Sequence, residues 1–371
     1  MRIAAVSVIE YRRAFARPAS NPATRWTERR AVLVRIETAD GIVGLGEGWA
    51  PANDVEKLLD ALARVVAPRL VGADIRAAAA AGLAALEPHR GEIPGWAACA
   101  ASSAIGLAEL DIRARAAGQP LWMHLGGTPR ARVYASGGLY ADGKDGRALA
   151  EELRGHVDRG FTAVKMKVGG STLDEDFARI AAVRAAIGDG ELIVDALSRF
   201  DAASAPAAVR RYAAAGANAV QAPLPPDDVD AVGALLRDSP LPIWLGEAVC
   251  DVALLGRLSR LEPAPWIQLN PALVGGHRTL DLANAPDAGT RVTLQCHGTA
   301  VLQAACLQLA AGGPAIAHAE FHMFHDHLHD RLPASMRRVE NGVVTLGPEP
   351  GLGLALPEND GRLRLVRRCA A

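Results

Sequence analysis

The sequence predicts an α/β fold in which a closed barrel of strands and helices follows an α+β cap. Between residues 133 and 315, short apolar runs typical of buried strands alternate with Ala-rich stretches of helical spacing. The first and the last of the eight runs begin 182 residues apart, so a new run begins every 26 residues on average, which is the length of one strand with its helix. Eight evenly spaced strands with seven intervening helices favour a closed barrel over an open sheet.

The cap is expected over residues 1–130. Two β-rich runs, 30–37 and 42–46, flank Asp40 and Gly41, a dipeptide typical of a tight hairpin turn. From Pro51 onward the sequence is rich in Ala and Leu at helical spacing. Helices are therefore predicted at 55–66, 75–86 and 97–117.

The barrel is predicted over residues 131–325. An open dinucleotide-binding sheet would need Gly-x-Gly-x-x-Gly after its first strand, whereas the glycines at 44–48 lie in the cap hairpin and open no helix. Residues 326–371 contain short strands and turns and are expected to return to the cap. The barrel strands are predicted to begin near Val133, Ala163, Leu192, Ala219, Ile243, Trp266, Arg291 and Ala315.

The composition excludes several classes of protein. The 371 residues include 40 Lys and Arg against 41 Asp and Glu, which argues against a nucleic-acid-binding or polybasic membrane protein. The five cysteines never form Cys-x-x-Cys, so neither a disulfide scaffold nor a thiolate zinc site is expected. Without a signal peptide or a membrane-spanning apolar stretch, we expect a soluble, cytoplasmic protein.

Two lysines end the second barrel strand. Because side chains two residues apart on a strand face the same side, Lys165 and Lys167 would both enter the barrel mouth while Met166 packs outward. Two close ammonium groups disfavour each other's charge, and a lysine of lowered pKa can abstract a proton near neutral pH. The alternative is an edge strand with solvated lysines.

Oxygen-bearing side chains end the next three strands. Asp195 and Glu247 close strands three and five, and two carboxylates there can converge on a hard cation such as Mg²⁺. Gln221 closes strand four between them and can ligate only through a neutral carbonyl oxygen. The alternative for a carboxylate at a strand end is the N-cap of the following helix.

The remaining strand ends supply a histidine and its neighbours. His297, after strand seven, is a candidate acid or base, and Asn270, after strand six, could orient it. Cys296 points the opposite way, so a Cys/His nucleophile is not indicated. After strand eight, five of the ten histidines lie within 318–329. This segment is interpreted as a substrate-contacting loop rather than a second metal site, with Glu320 directed into the barrel mouth.

Taken together, these residues resemble the enolase superfamily, most closely its mandelate racemase/muconate lactonizing enzyme branch. The resemblance covers nearly the whole chain. No single motif is specific to the family, but the whole set is, because the motifs follow in the same order and at the spacing of barrel strands. The motifs are Gly41 with Gly44-Leu45-Gly46-Glu47, the segment 103–112, Gly118-Gln119-Pro120-Leu121, Leu125-Gly126-Gly127, Lys165-Met166-Lys167, Val194-Asp195-Ala196, Gly246-Glu247, His297 and Gly351-Leu352-Gly353.

The resemblance implies a modified TIM-type (β/α)7β barrel with a capping domain formed by the N-terminal region and the C-terminal segment. It also implies Mg²⁺ as cofactor, held by the positions of Asp195, Gln221 and Glu247. The reaction of such enzymes begins with removal of the proton α to a carboxylate, and the metal stabilises the resulting enediolate. The implied partner is a small-molecule carboxylate substrate.

Catalytic roles follow from the same resemblance. Lys167 matches the base on one face of the substrate, with Lys165 supporting it and touching the substrate carboxylate. His297 matches the acid or base on the other face and Asn270 its orienting partner. Glu320 matches a hydrogen-bond donor to the carboxylate.

The resemblance also extends to the cap and to assembly. Cap residues within 15–30 and 47–55 are expected to close over the substrate, with Arg25 and Trp49 as candidates. Members of the family are commonly oligomers, so a homo-oligomer is expected.

Three positions depart from the family pattern. Gln221 stands where the family has Glu, Asn270 where it has Asp, and Leu197 where it often has Asn. Asn270 cannot raise the basicity of His297 as a carboxylate would, so His297 is a poorer base but can still protonate a departing hydroxyl. The predicted reaction is therefore dehydration of a sugar acid or related hydroxy acid. The alternatives are a racemase or epimerase, and a degenerate barrel without catalysis.

Overall fold

The computed structural model describes residues 1–51, 54–285, 290–323, 327–357 and 359–371. These residues form a closed barrel of eight parallel strands and a separate cap built on an antiparallel sheet. The predicted fold class is therefore confirmed. Within the described ranges, none of the helices has the length and apolar character needed to cross a membrane.

The cap sheet is a meander of long antiparallel strands. Its first three strands are β1 (Ile3–Ser20), β2 (Arg25–Thr38) and β3 (Val43–Gly48), and β2 turns into β3 at the predicted hairpin. A two-residue strand, Tyr140–Ala141, and a C-terminal strand both pair with β1 and complete the five-stranded sheet. Gly41 in this turn has a φ of +79°, which glycine adopts without the steric cost of a Cβ atom.

The cap helices pack against this sheet or against other helices. A Cβ atom at Gly46 would collide with the carbonyl oxygen of Ala104, so the bare glycine lets the longest cap helix lie directly on β3. The helices are α1 (Val55–Asp60), α2 (Ala67–Leu70), α3 (Ala78–Leu86), α4 (Gly95–Ala116) and α5 (Leu121–His124). A π-helical turn at Ala61–Val66 joins α1 to α2, and 3₁₀ turns lie at Ile75–Ala77 and Glu87–His89.

The barrel closes because its last strand pairs with its first, with Glu320 opposite Tyr134. All eight strands lie where the sequence predicts them. They are β4 (Arg130–Ser136), β5 (Ala163–Lys167), β6 (Glu191–Asp195), β7 (Ala219–Gln221), β8 (Ile243–Leu245), β9 (Trp266–Leu269), β10 (Arg291–Leu294) and β11 (Ile316–His322).

Helices connect the barrel strands and cover them. Their apolar faces pack on the outward residues of the strands, such as Met166, which is fully buried. Two short helices share the crossover between β9 and β10. The helices are α6 (Gly146–Asp158), α7 (Leu173–Ile187), α8 (Ala205–Ala214), α9 (Val229–Asp238), α10 (Val252–Ser259), α11 (Pro271–Val274), α12 (Gly276–Ala283) and α13 (Ala300–Gly312).

The C-terminal residues divide between the two parts of the molecule, although residues 326–371 are predicted to return to the cap as one segment. After a 3₁₀ turn and α14 (Ala334–Arg337), the hairpin of β12 (Val339–Glu340) and β13 (Val343–Thr345) pairs with the first residues of β4. Only β14 (Leu363–Ala370) returns to the cap, where it pairs with β1. The barrel pairing of β4 starts only at Val133, and the hairpin pairs with the three residues before it, 130–132, whose backbone groups are free of the barrel ladder.

The interior of the barrel is apolar at one end and polar at the other. The rings of Tyr134 and Trp244 pack edge to face inside the barrel, with centroids 5.6 Å apart, and Ala163, Ile193 and Ala219 pack around them. The polar residues lie at the carboxyl ends of the strands, beneath the cap. This arrangement places the candidate site between the two parts of the chain.

Candidate active site

A cavity of about 250 Å³ lies between the carboxyl ends of the barrel strands and the cap. Its walls bring together residues from distant parts of the chain. The barrel contributes Ser136, Gly137, Leu139, Lys167, Leu197, Glu247, Ala248, Gln295, His297, Glu320 and His322, and the cap contributes Asn21, Ala23, Thr24, Trp26, Trp49 and Pro51.

The two lysines of β5 both point into the barrel mouth, as predicted. Lys165 is almost fully buried, and its Nζ lies 3.1 Å from Oε1 of Glu320 and 3.6 Å from Oδ2 of Asp195. Lys167 donates a hydrogen bond to Asp195. Burial alone would lower the pKa of Lys167, but the nearby carboxylates, Asp195 first, outweigh burial and raise it.

The carboxylates differ in how well they are neutralised. Burial opposes the charge of Asp195, but Lys167 and Lys165 outweigh burial and lower its pKa. Burial, reinforced by the charge of Asp195, raises the pKa of Glu247 to about 7. The part of the site around Glu247 therefore carries negative charge that the two lysines do not fully compensate.

Glycine directs Glu247 towards the cavity. Gly246 has a φ of +108°, a conformation that other residues rarely adopt, and it redirects the backbone where β8 ends. A Cβ atom at Gly246 would lie 3.1 Å from the carbonyl oxygen of Gln268 on the neighbouring strand. The motif Gly246-Glu247 is therefore a turn that brings a carboxylate over the end of the barrel.

Amide side chains surround Glu247. Gln221 accepts a hydrogen bond from Lys165 through Oε1, at 2.9 Å, and donates through Nε2 to Oε2 of Glu247. Gln295 donates to the same oxygen at 3.0 Å and accepts from Asn270 at 2.8 Å. The amide groups of Gln221 and Asn270 are therefore both engaged around Glu247, and metal binding by Gln221 and orientation of His297 by Asn270 stay predictions.

His297 lines the opposite side of the cavity. Its ring centroid lies 5.3 Å from that of His322 and 6.1 Å from that of Trp26. Arg29, a buried residue of β2, donates from Nη2 to the backbone carbonyl of His297 at 2.5 Å. Burial first, and then the positive charges of Arg29, His322 and Lys167, lower the pKa of His297 well below its ordinary value.

A second contact joins the cap to the strand end that carries His297. The buried carboxylate of Glu47, on β3, accepts hydrogen bonds from the backbone N–H and hydroxyl of Thr299 and from the N–H of Leu302. These are free donors at the first turn of α13, where a carboxylate is favourable. Glu47, known from the sequence only as part of the hairpin motif, therefore fixes the cap over the barrel.

The donor set of the site fits a magnesium ion. Asp195 and Glu247 are buried carboxylates, and Mg²⁺ is commonly held by one or two carboxylates, with water and substrate completing its shell. The uncompensated charge near Glu247 is what a cation would neutralise. Gln221 turns its oxygen towards Lys165, so ligation through that oxygen requires the side chain to rotate. Within the described ranges, no three His, Cys, Asp or Glu side chains are grouped to hold a metal.

Leu197 occupies a conformation that suits asparagine better. Its φ is +49°, and its backbone N–H donates to Oδ1 of Asp195 at 3.1 Å. Asn and Asp adopt this left-handed region several times more often than other non-glycine residues. The departure from the family pattern therefore places a strained apolar side chain in the wall of the cavity.

The two cap candidates have different positions. Trp49 lines the cavity, and its buried indole Nε1 has no hydrogen-bond partner among the described residues. Arg25 instead forms two hydrogen bonds with Asp142 at the exposed surface, at 2.8 and 3.0 Å. Within the predicted segment 47–55, residues 52 and 53 lie outside the described residues.

The histidine-rich segment does not act as one unit. His322 lines the cavity, His327 shares a 2.9 Å hydrogen bond with the hydroxyl of Tyr11, and His318 stacks on Trp266. Residue 325 lies outside the described residues. Glu320 does face the cavity, as predicted.

Gln295 is not predicted as a site residue, Arg29 is predicted only as part of the segment 15–30, and His322 only as part of the segment 318–329. Gln295 precedes His297 by two residues and so faces the same side of the chain, a periodicity that could have revealed it. His322 stands two residues after Glu320 and gives the same signal. No local pattern distinguishes Arg29 from Arg30, because only the docking of the cap decides which arginine is buried.

Comparison with known families agrees with the resemblance. The model described as mandelate racemase / muconate lactonizing enzyme, N-terminal domain, matches residues 3–126, and the model described as enolase C-terminal domain-like matches residues 148–360. The chain belongs to the enolase superfamily. Within it, the N-terminal match assigns the chain to the mandelate racemase/muconate lactonizing enzyme branch.

Curated relatives of the family cover nearly the whole chain. D-Galactarolactone cycloisomerase of Agrobacterium fabrum is 29% identical over 355 residues, which is 91% of this chain and 92% of the relative. Arabinonate dehydratase of Saccharolobus solfataricus is 26% identical over 336 residues, or 88% of each chain. The relatives are thus enzymes that act as cycloisomerases and dehydratases.

A solved structure of the family also matches. The crystal structure of a racemase from Streptomyces coelicolor A3(2) with bound magnesium superposes with a TM-score of 0.81 at 26% identity. The match covers 95% of this chain and 97% of the racemase. Both barrel and cap are therefore shared.

Proposed function

We propose that the protein is a Mg²⁺-dependent lyase that dehydrates a sugar acid or related hydroxy acid. The observation that carries this proposal is the placement of Lys167 and His297 in one cavity with Glu247 and Glu320. β5 and β10 lie three steps apart around the barrel, so the lysine and the histidine approach a substrate from different sides.

The substrate carboxylate would lie at the charged end of the cavity. Asp195 and Glu247 would hold Mg²⁺, which supplies positive charge where the carboxylate becomes more negative during the reaction. Lys165 lies beside Asp195 and Glu320 and adds a fixed positive charge. Glu320 is placed to hydrogen-bond the carboxylate when it carries a proton.

The two proton transfers are assigned to opposite walls. The contact with Asp195 favours the ammonium form of Lys167, and a cation held by Asp195 would compete for that carboxylate and so favour the neutral amine. This neutral amine takes the α-proton, and the electron pair of the broken C–H bond forms the C=C bond as the β-hydroxyl leaves. The imidazolium of His297 gives a proton to that hydroxyl, which departs as water. The enol product then rearranges to the 2-keto acid, so atoms and charges balance.

Two observations favour dehydration over racemization. A lowered pKa makes His297 a weak base but a strong acid once protonated, which suits donation to a leaving hydroxyl rather than removal of an α-proton. The polar side chains of Asn21 and Thr24 line the cap side of the same cavity, where they can hydrogen-bond a hydroxylated substrate. The relatives named as a dehydratase and a cycloisomerase point to sugar-derived acids as the first compounds to test.

Proton NMR in D₂O tests the proposal. The full chain with Mg²⁺ is incubated with a pool of sugar acids and hydroxy acids, beside Lys167→Ala and the control Lys57→Ala, which removes an exposed lysine of the cap. We expect one acid to be converted to a keto acid by the native protein and by Lys57→Ala. Lys167→Ala should be slower by about 10²–10⁴-fold, the usual contribution of a general base.

Other outcomes have separate meanings. Deuterium entering an α-position without loss of a hydroxyl would show a racemase or epimerase instead. Equal turnover by Lys167→Ala would remove the lysine from the role of base. No reaction with any acid of the pool would count against catalysis and favour the degenerate barrel.

A further inference from the structure

Glu247 is held by two amide groups at one oxygen. Oε2 of Glu247 accepts from Nε2 of Gln221 and from Nε2 of Gln295. The orientation of the Gln221 amide follows from Lys165, whose ammonium can only donate and therefore requires Oε1. The NH₂ group of Gln221 is thereby left for Glu247.

The orientation of the second amide is set by the backbone. The N–H of Ala272 can only donate, and it donates to Oδ1 of Asn270 at 3.0 Å. The NH₂ group of Asn270 is thus directed at Oε1 of Gln295, 2.8 Å away. Gln295 must then turn its own NH₂ group to Glu247. The hydrogen bonds thus run in one direction from Ala272 through Asn270 and Gln295 to Glu247, and we call this chain the relay. The backbone N–H of Ala272, at the start of α11, fixes its direction.

We propose that Asn270 and Gln295 are positioning residues that hold Glu247 for metal binding. This inference rests on the proposed function only in taking Glu247 as a metal ligand. It assigns Asn270 to the metal side of the site, whereas the family pattern would pair that position with His297. Both residues are fully or almost fully buried, so water does not readily replace either hydrogen bond.

The relay explains why an amide, and not a carboxylate, stands at position 270. A carboxylate has no N–H to give, so Gln295 would face an acceptor on both sides and could satisfy only one of them. Asn270→Asp restores the family residue, yet it should release Glu247 and add a second buried negative charge nearby. The charge alone would attract a cation, whereas loss of the relay would weaken its binding. Tighter metal binding by Asn270→Asp would therefore show that the added charge dominates, and weaker binding would show that the lost hydrogen bonds dominate.

Mn²⁺ binding to the full chain, followed by the EPR signal of the free ion without substrate, tests the inference. We expect Asn270→Asp and Gln295→Met to bind Mn²⁺ about 10- to 100-fold more weakly than the native protein, the usual cost of losing a partner of a metal ligand. The control is Gln308→Met. Gln308 is equally buried but lies on α13, where it accepts from the N–H of Trp122.

Each result has one meaning. Unchanged or tighter binding by Asn270→Asp would overturn the inference and leave the proposed function in place. An equal loss in Gln308→Met would overturn it by showing a general packing effect. No Mn²⁺ binding by the native protein would overturn the inference and the proposed metal dependence together. If thermal unfolding shows that Asn270→Asp does not fold, Gln295→Met, which adds no charge, carries the test.

Discussion

The two walls of the cavity are stabilised by different forces. The wall formed by β5 to β8 is held by charge, because Lys165 and Lys167 of β5 both contact Asp195 of β6 inside the barrel. The wall formed by β10, β11 and the cap is held by packing, with the ring of His297 between aromatic neighbours and the buried cation of Arg29 behind it. The charged wall should respond to metal and pH, whereas the packed wall depends on docking of the cap.

Asp195→Asn should produce the largest effect, because it removes the carboxylate that both lysines contact. Loss of one partner from a buried ion pair typically costs about 3–5 kcal/mol of unfolding free energy. We expect a clear fall in melting temperature and loss of turnover. The control is Asp174→Asn, which breaks an exposed pair with Arg211 and should cost less than about 1 kcal/mol. Equal shifts in the two variants would contradict a charge-stabilised wall.

Arg29→Gln tests the packed wall. Removing the cation should raise the pKa of His297 towards its ordinary value, and losing the bond to its carbonyl should loosen the ring. Turnover should fall about 10-fold, because His297 stays in place but is less well oriented, and so only part of the contribution of a general acid is lost.

NMR titration of the imidazole signals measures the shift caused by Arg29→Gln. Arg30→Gln is the matched control, since Arg30 is the next residue of β2 and pairs instead with Glu10 and Glu56. A His297 signal that titrates identically in the two variants would show that Arg29 does not act on the ring.

The charged wall should make metal binding depend on pH. The pKa of Glu247 is about 7 in the metal-free protein, so Mg²⁺ must displace a proton from it below that pH. Affinity should fall about tenfold for each pH unit below 7. Calorimetry in buffers of different ionisation enthalpy measures the released proton, and Glu247→Gln should release none. A pH-independent affinity would contradict this prediction.

The same carboxylate affects the stability of the metal-free protein. Because its pKa is raised in the folded state, the folded protein binds the proton more tightly than the unfolded chain does. The contribution of Glu247 to stability is therefore complete below its ordinary pKa and is lost as the pH rises through about 7.

The smallest effects are expected at the cap. Trp49→Phe replaces the indole that lines the cavity with a smaller ring, so KM should rise by about 2- to 10-fold through lost apolar contact with the substrate. Arg25→Ala breaks only an exposed pair with Asp142 and should leave KM unchanged. Steady-state kinetics on the identified substrate compares the two variants. A larger effect from Arg25→Ala would mean that the cap closes differently over bound substrate.

The sequence was sufficient for the barrel because its pattern is local. Each strand is a short apolar run followed by a helix, so the eight strand positions and the inward face of Lys165 and Lys167 follow from spacing alone. The strand ends then identify Asp195 and Glu247, since the carboxyl ends of barrel strands meet at one edge. The C-terminal hairpin was assigned to the cap because its short strands carry no sign of their pairing partner.

The tertiary structure alone decided which partner each polar group has. Asn270 bonds to Gln295 because a backbone N–H fixes its amide, and no residue pattern records that direction. Arg29 reaches His297, and Glu47 reaches Thr299, only because the cap docks on the barrel. Periodicity determines the face of an element on which a side chain lies. The contacts across that face depend on packing between different elements, 25 positions apart for Asn270 and Gln295 and more than 200 apart for the two cap contacts, which sequence spacing cannot specify.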